Sequence, residues 1–450
     1  MKTYLLCLAL GIPLWGAAQQ FQSKMEKIET DEYKGEVSVC TNCTGIKPEP
    51  SKEYFWLENN TVQSGVGMLK GTPLHGEVKL YIEGLDGEKQ LIMEGHFFAG
   101  LKDGMVKNYV FGELETEELY EKGELKRVDY YFPGKEGVDK RVEYLGREGQ
   151  QWKVRFTFFS TAGEVQAEGY RKPVGDSFNE FFHGAYKKIF IDSTGSPYVK
   201  EEGRYDMNRR VGEWKEYYPN NNAYCRRIYD YDILKKETFL TASGQPFTGV
   251  IEDRNAPLSR VYARIEVKNG LRDGKTEDSY RSGKPSRTLL FAQGKLKEGA
   301  ESLESFLAQN PVQKEKQLSF QCDQRGGGLY VDKIQYTAGG ALVYFHFQNI
   351  TLHNGAVVYT PAPGTDNAFT AYDIASATQF PVKKVFGIPT APAYMPMVYG
   401  ELIAFVLYFE GLKENHRFIS LIEGDPENPY IIDDNGNTTY NWGCYELSIR

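Results

Sequence analysis

The sequence predicts an all-β protein: an elongated antiparallel sheet of β-hairpin repeats, then a β-sandwich, with one short helix linking them. Three observations carry this expectation. A glycine-anchored box recurs through the first two thirds of the chain. The residues after each box alternate apolar and polar with period two, and the last third is a series of short apolar runs between Pro and Gly turns.

The elements follow in chain order. Residues 1–18 read as a cleavable signal peptide: Lys2 supplies the positive end, residues 4–15 an apolar segment that includes Cys7, and Gly16-Ala17-Ala18 a small-residue cleavage site before Gln19. The apolar segment is too short to span a bilayer, which takes about 20 apolar residues. Residues 19–73 are expected to form an N-terminal strand and cap region.

The repeats are expected over residues 74–299. Gly100-Leu101-Lys102-Asp103-Gly104 returns as Gly270-Leu271-Arg272-Asp273-Gly274, and Asn208-Arg209-Arg210-Val211-Gly212 is the same box with Asn for the first Gly. Counting from Gly76, Gly104, Gly184 and Gly212, positions two and six are apolar: Val78 and Ile82, Val106 and Val110, Tyr186 and Phe190, Trp214 and Tyr218. That spacing places both on one face of a strand. Position three is always Lys (Lys79, Lys107, Lys187, Lys215), and position five is Tyr81, Tyr109, Ile189 or Tyr217, so the opposite face is expected to be half wet and to carry Lys beside an aromatic. The box glycines are assigned to the reversals between strands, which need positive φ; Gly adopts it freely and Asn tolerates it.

These units resemble MORN repeats, in the variant associated with bacterial toxin–antitoxin proteins. The resemblance rests on the Gly-x-x-x-Gly boxes followed by Trp or Tyr with Lys and Tyr. It implies a single layer of hairpins, each stacking on its neighbours and capped at the ends. The unit at Gly274 departs from the pattern, with Thr276 at an apolar position and Ile265 where a glycine is expected; residues 136–172 match it poorly, although Arg155-Phe156-Thr157-Phe158-Phe159 reads as a strand.

Residues 300–316 are expected to hold the linker helix, with Leu303, Phe306 and Leu307 on one face and a stop at Asn310-Pro311. Residues 317–450 then change in character, carrying 7 basic and 13 acidic residues, while charges of both signs are denser before them, as wet repeat faces require. The runs at 341–347, 355–359, 402–409 and 418–423 read as strands of a two-sheet sandwich, and residues 418–424 followed by the terminal Trp442-Gly443-Cys444-Tyr445-Glu446-Leu447 resemble the immunoglobulin-like sandwiches that end secreted Gram-negative proteins.

Five cysteines remain beyond the leader. Cys322 and Cys444 bracket the last domain and are expected to pair. Cys40-Thr41-Asn42-Cys43 is expected to close locally, or to give one cysteine to Cys225, since a zinc site would need a second ligand pair. Asp433-Asp434-Asn435-Gly436-Asn437 lacks the later ligands of a calcium loop and reads as a hairpin turn. His75 and His183 each precede an anchor glycine and are read as repeat residues of separate units.

No nucleophile elbow, phosphate loop or zincin helix is present in the sequence, and no catalytic, cofactor-binding or metal-binding residue is assigned. The net charge of −8 disfavours nucleic acid and anionic membranes as partners. The reading is a secreted, non-catalytic binding or scaffold protein of the periplasm or cell surface. It would present its repeat face to a protein or glycan partner, without a membrane span and without a cofactor. The alternatives are an immunity or antitoxin-like protein neutralising a toxin, and an envelope spacer.

Overall fold

The computed structural model describes residues 21–448 apart from 31, 85–86, 135, 161–162, 175–176, 193, 256–259, 280–284, 299–302, 323–327, 350–355, 392–394, 398, 417, 425–429, 433–437 and 441. The expected signal peptide and the turn at 433–437 lie outside the described residues. The chain forms two compact units, Met1–Val138 and Asp139–Arg450, and is all-β apart from one short α-helix and a 3-10 turn among the described residues.

The first unit contains β1 (Ser23–Glu29), β2 (Lys34–Cys40), β3 (Glu53–Glu58), β4 (Thr61–Val66), β5 (Thr72–Glu83), β6 (Lys89–Phe98), β7 (Leu101–Val110), β8 (Glu113–Glu121) and β9 (Glu124–Tyr130). Its sheet runs β1-β2-β5-β6-β7-β8-β9, wholly antiparallel, and the β3-β4 hairpin joins through the start of β5. Ile28, Val37, Val39, Leu74, Val78 and Phe97 form its core. Cys40 and Cys43 are bonded to each other at the end of β2.

The second unit opens with an eight-stranded meander of β10 (Lys140–Glu148), β11 (Gln151–Ser160), β12 (Gly163–Val174), β13 (Ser177–Ile191), β14 (Pro197–Asp206), β15 (Arg209–Tyr218), β16 (Ala223–Asp230) and β17 (Ile233–Thr241). The stretch that matches the repeat pattern poorly therefore still folds as hairpins. A five-stranded meander follows: β18 (Gly249–Asn255), β19 (Arg260–Lys268), β20 (Leu271–Ser279), β21 (Pro285–Ala292) and β22 (Lys295–Glu298).

Then come α1 (Leu303–Gln309), β23 (Lys314–Gln321), β24 (Gly328–Tyr336), β25 (Gly340–Gln348), β26 (Ala356–Val358), β27 (Phe369–Asp373), β28 (Gln379–Phe386), β29 (Met395–Met397), β30 (Leu402–Glu410), β31 (Phe418–Glu423), β32 (Tyr430–Ile432), β33 (Thr438–Tyr440) and β34 (Gly443–Ser448). Eight of these strands make one sheet in the order β23-β24-β25-β30-β28-β27-β31-β34. The sheet folds over, so that Phe345 and Phe405 from one limb share a core with Phe369, Ile419 and Leu421 from the other. The expected Cys322–Cys444 disulfide is present and ties the segments at the two edges, β23 and β34, together. Helix α1 lies on the outside, with Phe306 packed on Leu342, Tyr344, Phe386, Val406 and Tyr408.

Six of the reversals are two-residue turns with both central residues at positive φ: Ala99-Gly100 (51° and 87°), Lys122-Gly123 (48° and 82°), Met207-Asn208 (45° and 65°), Tyr231-Asp232 (47° and 68°), Asn269-Gly270 (53° and 78°) and Gln293-Gly294 (49° and 77°). This is the type I′ pattern, whose twist matches that of the flanking strands. The first glycine of each box, or its Asn208 substitute, occupies the second turn position as expected.

The second glycine does not. Gly76, Gly104, Gly184 and Gly274 sit inside strands at φ of 93° to 112°, at β-bulges where three residues centred on the glycine oppose a single residue of the neighbouring strand. The assignment of every box glycine to a reversal is thus corrected. The sequence motif combines a turn glycine and a bulge glycine.

A hydrogen bond explains why the two travel together. The amide of the second turn residue donates back to the strand before its own hairpin: Gly100 to Leu74 O (2.7 Å), Gly123 to Lys102 O (2.8 Å), Asn208 to Phe182 O (2.8 Å), Asp232 to Arg210 O (3.0 Å) and Gly294 to Arg272 O (2.8 Å). Gly270 donates to Phe247 O (2.8 Å), in the segment leading into β18. Every acceptor lies two residues before a positive-φ glycine, namely Gly76, Gly104, Gly184, Gly212, Gly249 or Gly274. Each box is therefore both a donor, through its first residue, and an acceptor for the next hairpin, through its third.

The third box residue has a second task. The cations of Lys102, Arg210 and Arg272 lie over the rings of Tyr120, Tyr229 and Phe291, at 4.9, 5.5 and 5.3 Å from the centroids, and each ring stands three residues before the donor amide of the next tip.

Asn208 adds what glycine could not. Its Oδ1 accepts from the Phe182 amide (2.6 Å), which orients its Nδ2 toward His346 Nε2 (3.1 Å), and His346 Nδ1 faces Asp332 (2.7 Å). The hairpin tip thereby docks on β24 and β25. Nearby, Lys188 pairs with Glu401 (2.6 Å) and Phe158 packs edge-on against Tyr399.

Position two of each repeat is buried as expected, in Val78, Val106, Tyr186 and Trp214, but position six is not uniform. Val110 is 44% exposed because it ends β7 beside the Phe111-Gly112 tip, beyond the reach of the unit's apolar cluster.

Two substitutions test the turn assignment. Gly100→Val would place a Cβ 3.2 Å from Phe55 O at a φ of 87°, and is expected to cost about 2 kcal/mol or more in denaturant unfolding. Gly112→Asn, at a φ of 80° with open space around it, is expected to stay within about 0.5 kcal/mol of the parent. Asn208→Gly keeps the backbone but removes both side-chain contacts, with an expected loss of about 1–2 kcal/mol.

Candidate functional site

The polar face of the repeats is built by the residue at position three. In the first unit Lys79 and Lys107 flank Glu94 (3.7 and 3.6 Å), and Lys107 also reaches Glu117 (3.6 Å). These residues stand opposite one another across β5, β6, β7 and β8, giving a ladder of alternating charge. The aromatic at position five joins it: the Tyr109 hydroxyl donates to Glu94 (2.9 Å), and burial followed by that bond pushes the phenol up to about 12.

The second unit repeats the arrangement with a difference. Lys187, Glu202 and Lys215 stand opposite one another on β13, β14 and β15. Glu202 accepts from the Tyr217 hydroxyl (2.7 Å), and Glu213 is shared between Lys215 (3.6 Å) and Arg226 (3.9 Å). Glu168 takes the Ala185 amide (3.3 Å). Among the described residues, no carboxylate lies within ion-pair distance of Lys187 or Arg204. A groove of about 450 Å³ opens here, floored by Ala167, Ala185 and Gly203 and walled by long charged side chains that include Arg155, Lys187 and Arg204. Gly203 is obligatory in the floor, because a Cβ there would lie 2.2 Å from the Trp214 ring.

The opposite face holds something the sequence concealed. Between the eight-stranded and five-stranded sheets, six charged side chains form an alternating chain: Asp253–Lys200 (2.7 Å), Lys200–Glu216 (3.0 Å), Glu216–Arg227 (2.7 Å), Arg227–Glu237 (2.9 Å) and Glu237–Arg272 (2.6 Å). None of these side chains is more than 17% exposed. The expectation that charge in the repeats marks wet faces fails here.

The charges offset one another in sign, and further bonds satisfy what remains. Tyr218 donates to Glu216 (2.8 Å), and Arg272 donates to the hydroxyl of Thr276 (3.4 Å). Thr276, the residue that broke the apolar pattern, is buried because it serves this chain. Burial alone would raise the Glu237 carboxyl, but the Arg272 and Arg227 guanidiniums outweigh it and hold it at about 2. Cys225 lies beside this chain as a free, buried thiol, which burial pushes well up.

The two histidines singled out in the sequence are fixed within their own units. His75 accepts from the Ala99 amide (3.3 Å) and packs against Phe21 and Phe98; His183 faces Asp206 (3.1 Å) and the Tyr170 ring. Each buttresses a hairpin tip. Among the described residues no three His, Cys, Asp or Glu side chains gather in a metal-binding cluster, and no helix is long and apolar enough to cross a membrane. No protein-family model matches the chain, and comparison with curated proteins returns no match.

The buried chain makes an acid prediction with a definite sign. Glu237 is depressed in the folded state, so its contribution is complete above about pH 4.5 and is lost as the pH falls toward about 2. Glu237→Gln is expected to flatten that acid limb in a stability–pH series, by an amount on the order of 3 kcal/mol. Arg227→Met, which leaves Glu216 and Glu237 each short of a partner, is expected to cost about 3–5 kcal/mol at neutral pH by denaturant unfolding.

Proposed function

We propose that this is an exported, non-catalytic binding protein built of MORN-type hairpin repeats, which offers the polar face of the β11–β15 region to a protein or glycan partner at the periplasm or cell surface. The groove over Ala167, Ala185 and Gly203, with Lys187 and Arg204 unneutralised beside it, is the observation that favours this region. Elsewhere on the polar faces, cations such as Lys79 and Lys107 are already engaged with carboxylates of the same sheet. Tyr217 and Tyr224, with ring centroids 5.9 Å apart, add the aromatic surface that binding faces favour. The apolar leader at 1–18 and the two disulfides support export, since disulfides persist in oxidising compartments.

Capture from an envelope extract by the immobilised full chain tests this reading. Lys187→Glu with Lys215→Glu is expected to abolish retention of the captured partner. Lys383→Glu with Lys413→Glu, at exposed positions of the C-terminal region, is expected to leave it intact. The opposite pattern would move the binding site to that region.

A further inference from the structure

The walls of the groove define the chemistry of what it can hold. Its acidic members have their oxygens oriented in advance: Glu202 by the Tyr217 hydroxyl, Glu168 by the Ala185 amide, Glu213 by Lys215. Oriented carboxylates accept hydrogen bonds and donate none, so they select a ligand rich in donors. Lys187 and Arg204, on adjacent strands, can only donate, and call for an anion small enough to sit between walls that are themselves partly acidic. Apart from the buried Tyr186 the floor is made of small residues, and no aliphatic side chain larger than alanine lines the groove. An apolar peptide anchor has nothing to fill. A polyphosphate offers acceptors alone, so it would pair with the basic side chains of the walls but bring no donors to Glu168, Glu202 and Glu213.

One class of ligand meets all of these terms: a sugar chain that carries a carboxylate among many hydroxyls. We infer that the groove on β11–β15 binds an acidic glycan of the hexuronate type. Its carboxylate is held by Arg204 and Lys187, and its hydroxyls donate to Glu202, Glu168 and Glu213. A neighbouring residue of the sugar chain can lie on the Tyr217–Tyr224 ring pair, which shares the polar face with Lys215. The inference rests on the reading of this face as the binding surface and specifies its ligand.

Calorimetric titration of the full chain with trigalacturonic acid tests it, with the carboxyl-reduced trisaccharide and a polyglutamate peptide as comparators. The uronate is expected to bind, and the reduced sugar and the peptide to bind at least about tenfold more weakly, a difference of about 1.4 kcal/mol. Lys187→Ala and Arg204→Ala, both on the wet face, are each expected to weaken uronate binding by about tenfold without moving the thermal midpoint. Glu202→Gln is expected to weaken it while leaving the cations in place. No uronate binding, equal binding of the reduced sugar or of polyglutamate, or affinity indifferent to Lys187 and Arg204 would overturn the inference. If uronate binding fails while the Lys187→Glu and Lys215→Glu pair still abolishes capture of a protein partner, the face remains the binding surface and only the glycan assignment falls.

Discussion

The bond from each hairpin tip back to the strand before its own hairpin is the constraint on which the repeat depends. A two-stranded ribbon is marginal by itself in water. Here each new ribbon is joined to the sheet along its strand edge and also pinned at its tip, through an amide that a type I′ turn would otherwise leave without a protein partner. The donor needs two consecutive residues at positive φ, and the acceptor needs a bulge that brings its carbonyl within reach. Both demands favour glycine, with Asn208 and Asp232 in its place at two of the donor turns. The box Gly100-Leu101-Lys102-Asp103-Gly104 is the shortest statement of the rule: Gly100 reaches back to Leu74, Lys102 receives Gly123, and Gly104 makes the bulge.

This constraint also explains how charge comes to be buried. The third box residue lies at a fixed place between ribbons, on an aromatic ring of the next one. At Lys102 the cation is held by that ring, by the Phe55 ring of the β3-β4 hairpin (5.4 Å to its centroid) and by Glu118 (3.4 Å). Where a second sheet packs on the layer, as at Arg272, the same position becomes the end of the six-member chain that runs to Asp253. Oppositely charged partners in alternation keep the desolvation cost in check, and removal of an inner member exposes it.

The all-β class, the hairpin repeat, the turn glycines and the Cys322–Cys444 pair could all be read from the residues, because each depends on local chemistry or on simple period-two spacing. Asn208 was legible as a turn residue, and its contact with His346 was not, since that joins positions far apart in the chain. The bulge role of Gly104 and its equivalents was hidden because positive φ serves turns and bulges alike. The buried chain was hidden for a different reason. Lys200, Glu216, Arg227 and Glu237 occupy alternating positions that look like a solvated face, and only the packing of β18–β22 over them reverses that reading. Thr276 was the available signal: a polar residue at a core position implies a polar partner. The groove was equally opaque, since Ala167, Ala185 and Gly203 become a floor only when three strands are set side by side.

Amide hydrogen exchange, resolved by residue, tests the tip bond most directly. The account predicts that Gly100, Gly123, Asn208, Asp232, Gly270 and Gly294 exchange as slowly as the strands they reach. Gly112, at a tip on the opposite edge of the first unit's sheet, should exchange quickly. Six tip amides exchanging as fast as Gly112 would contradict it.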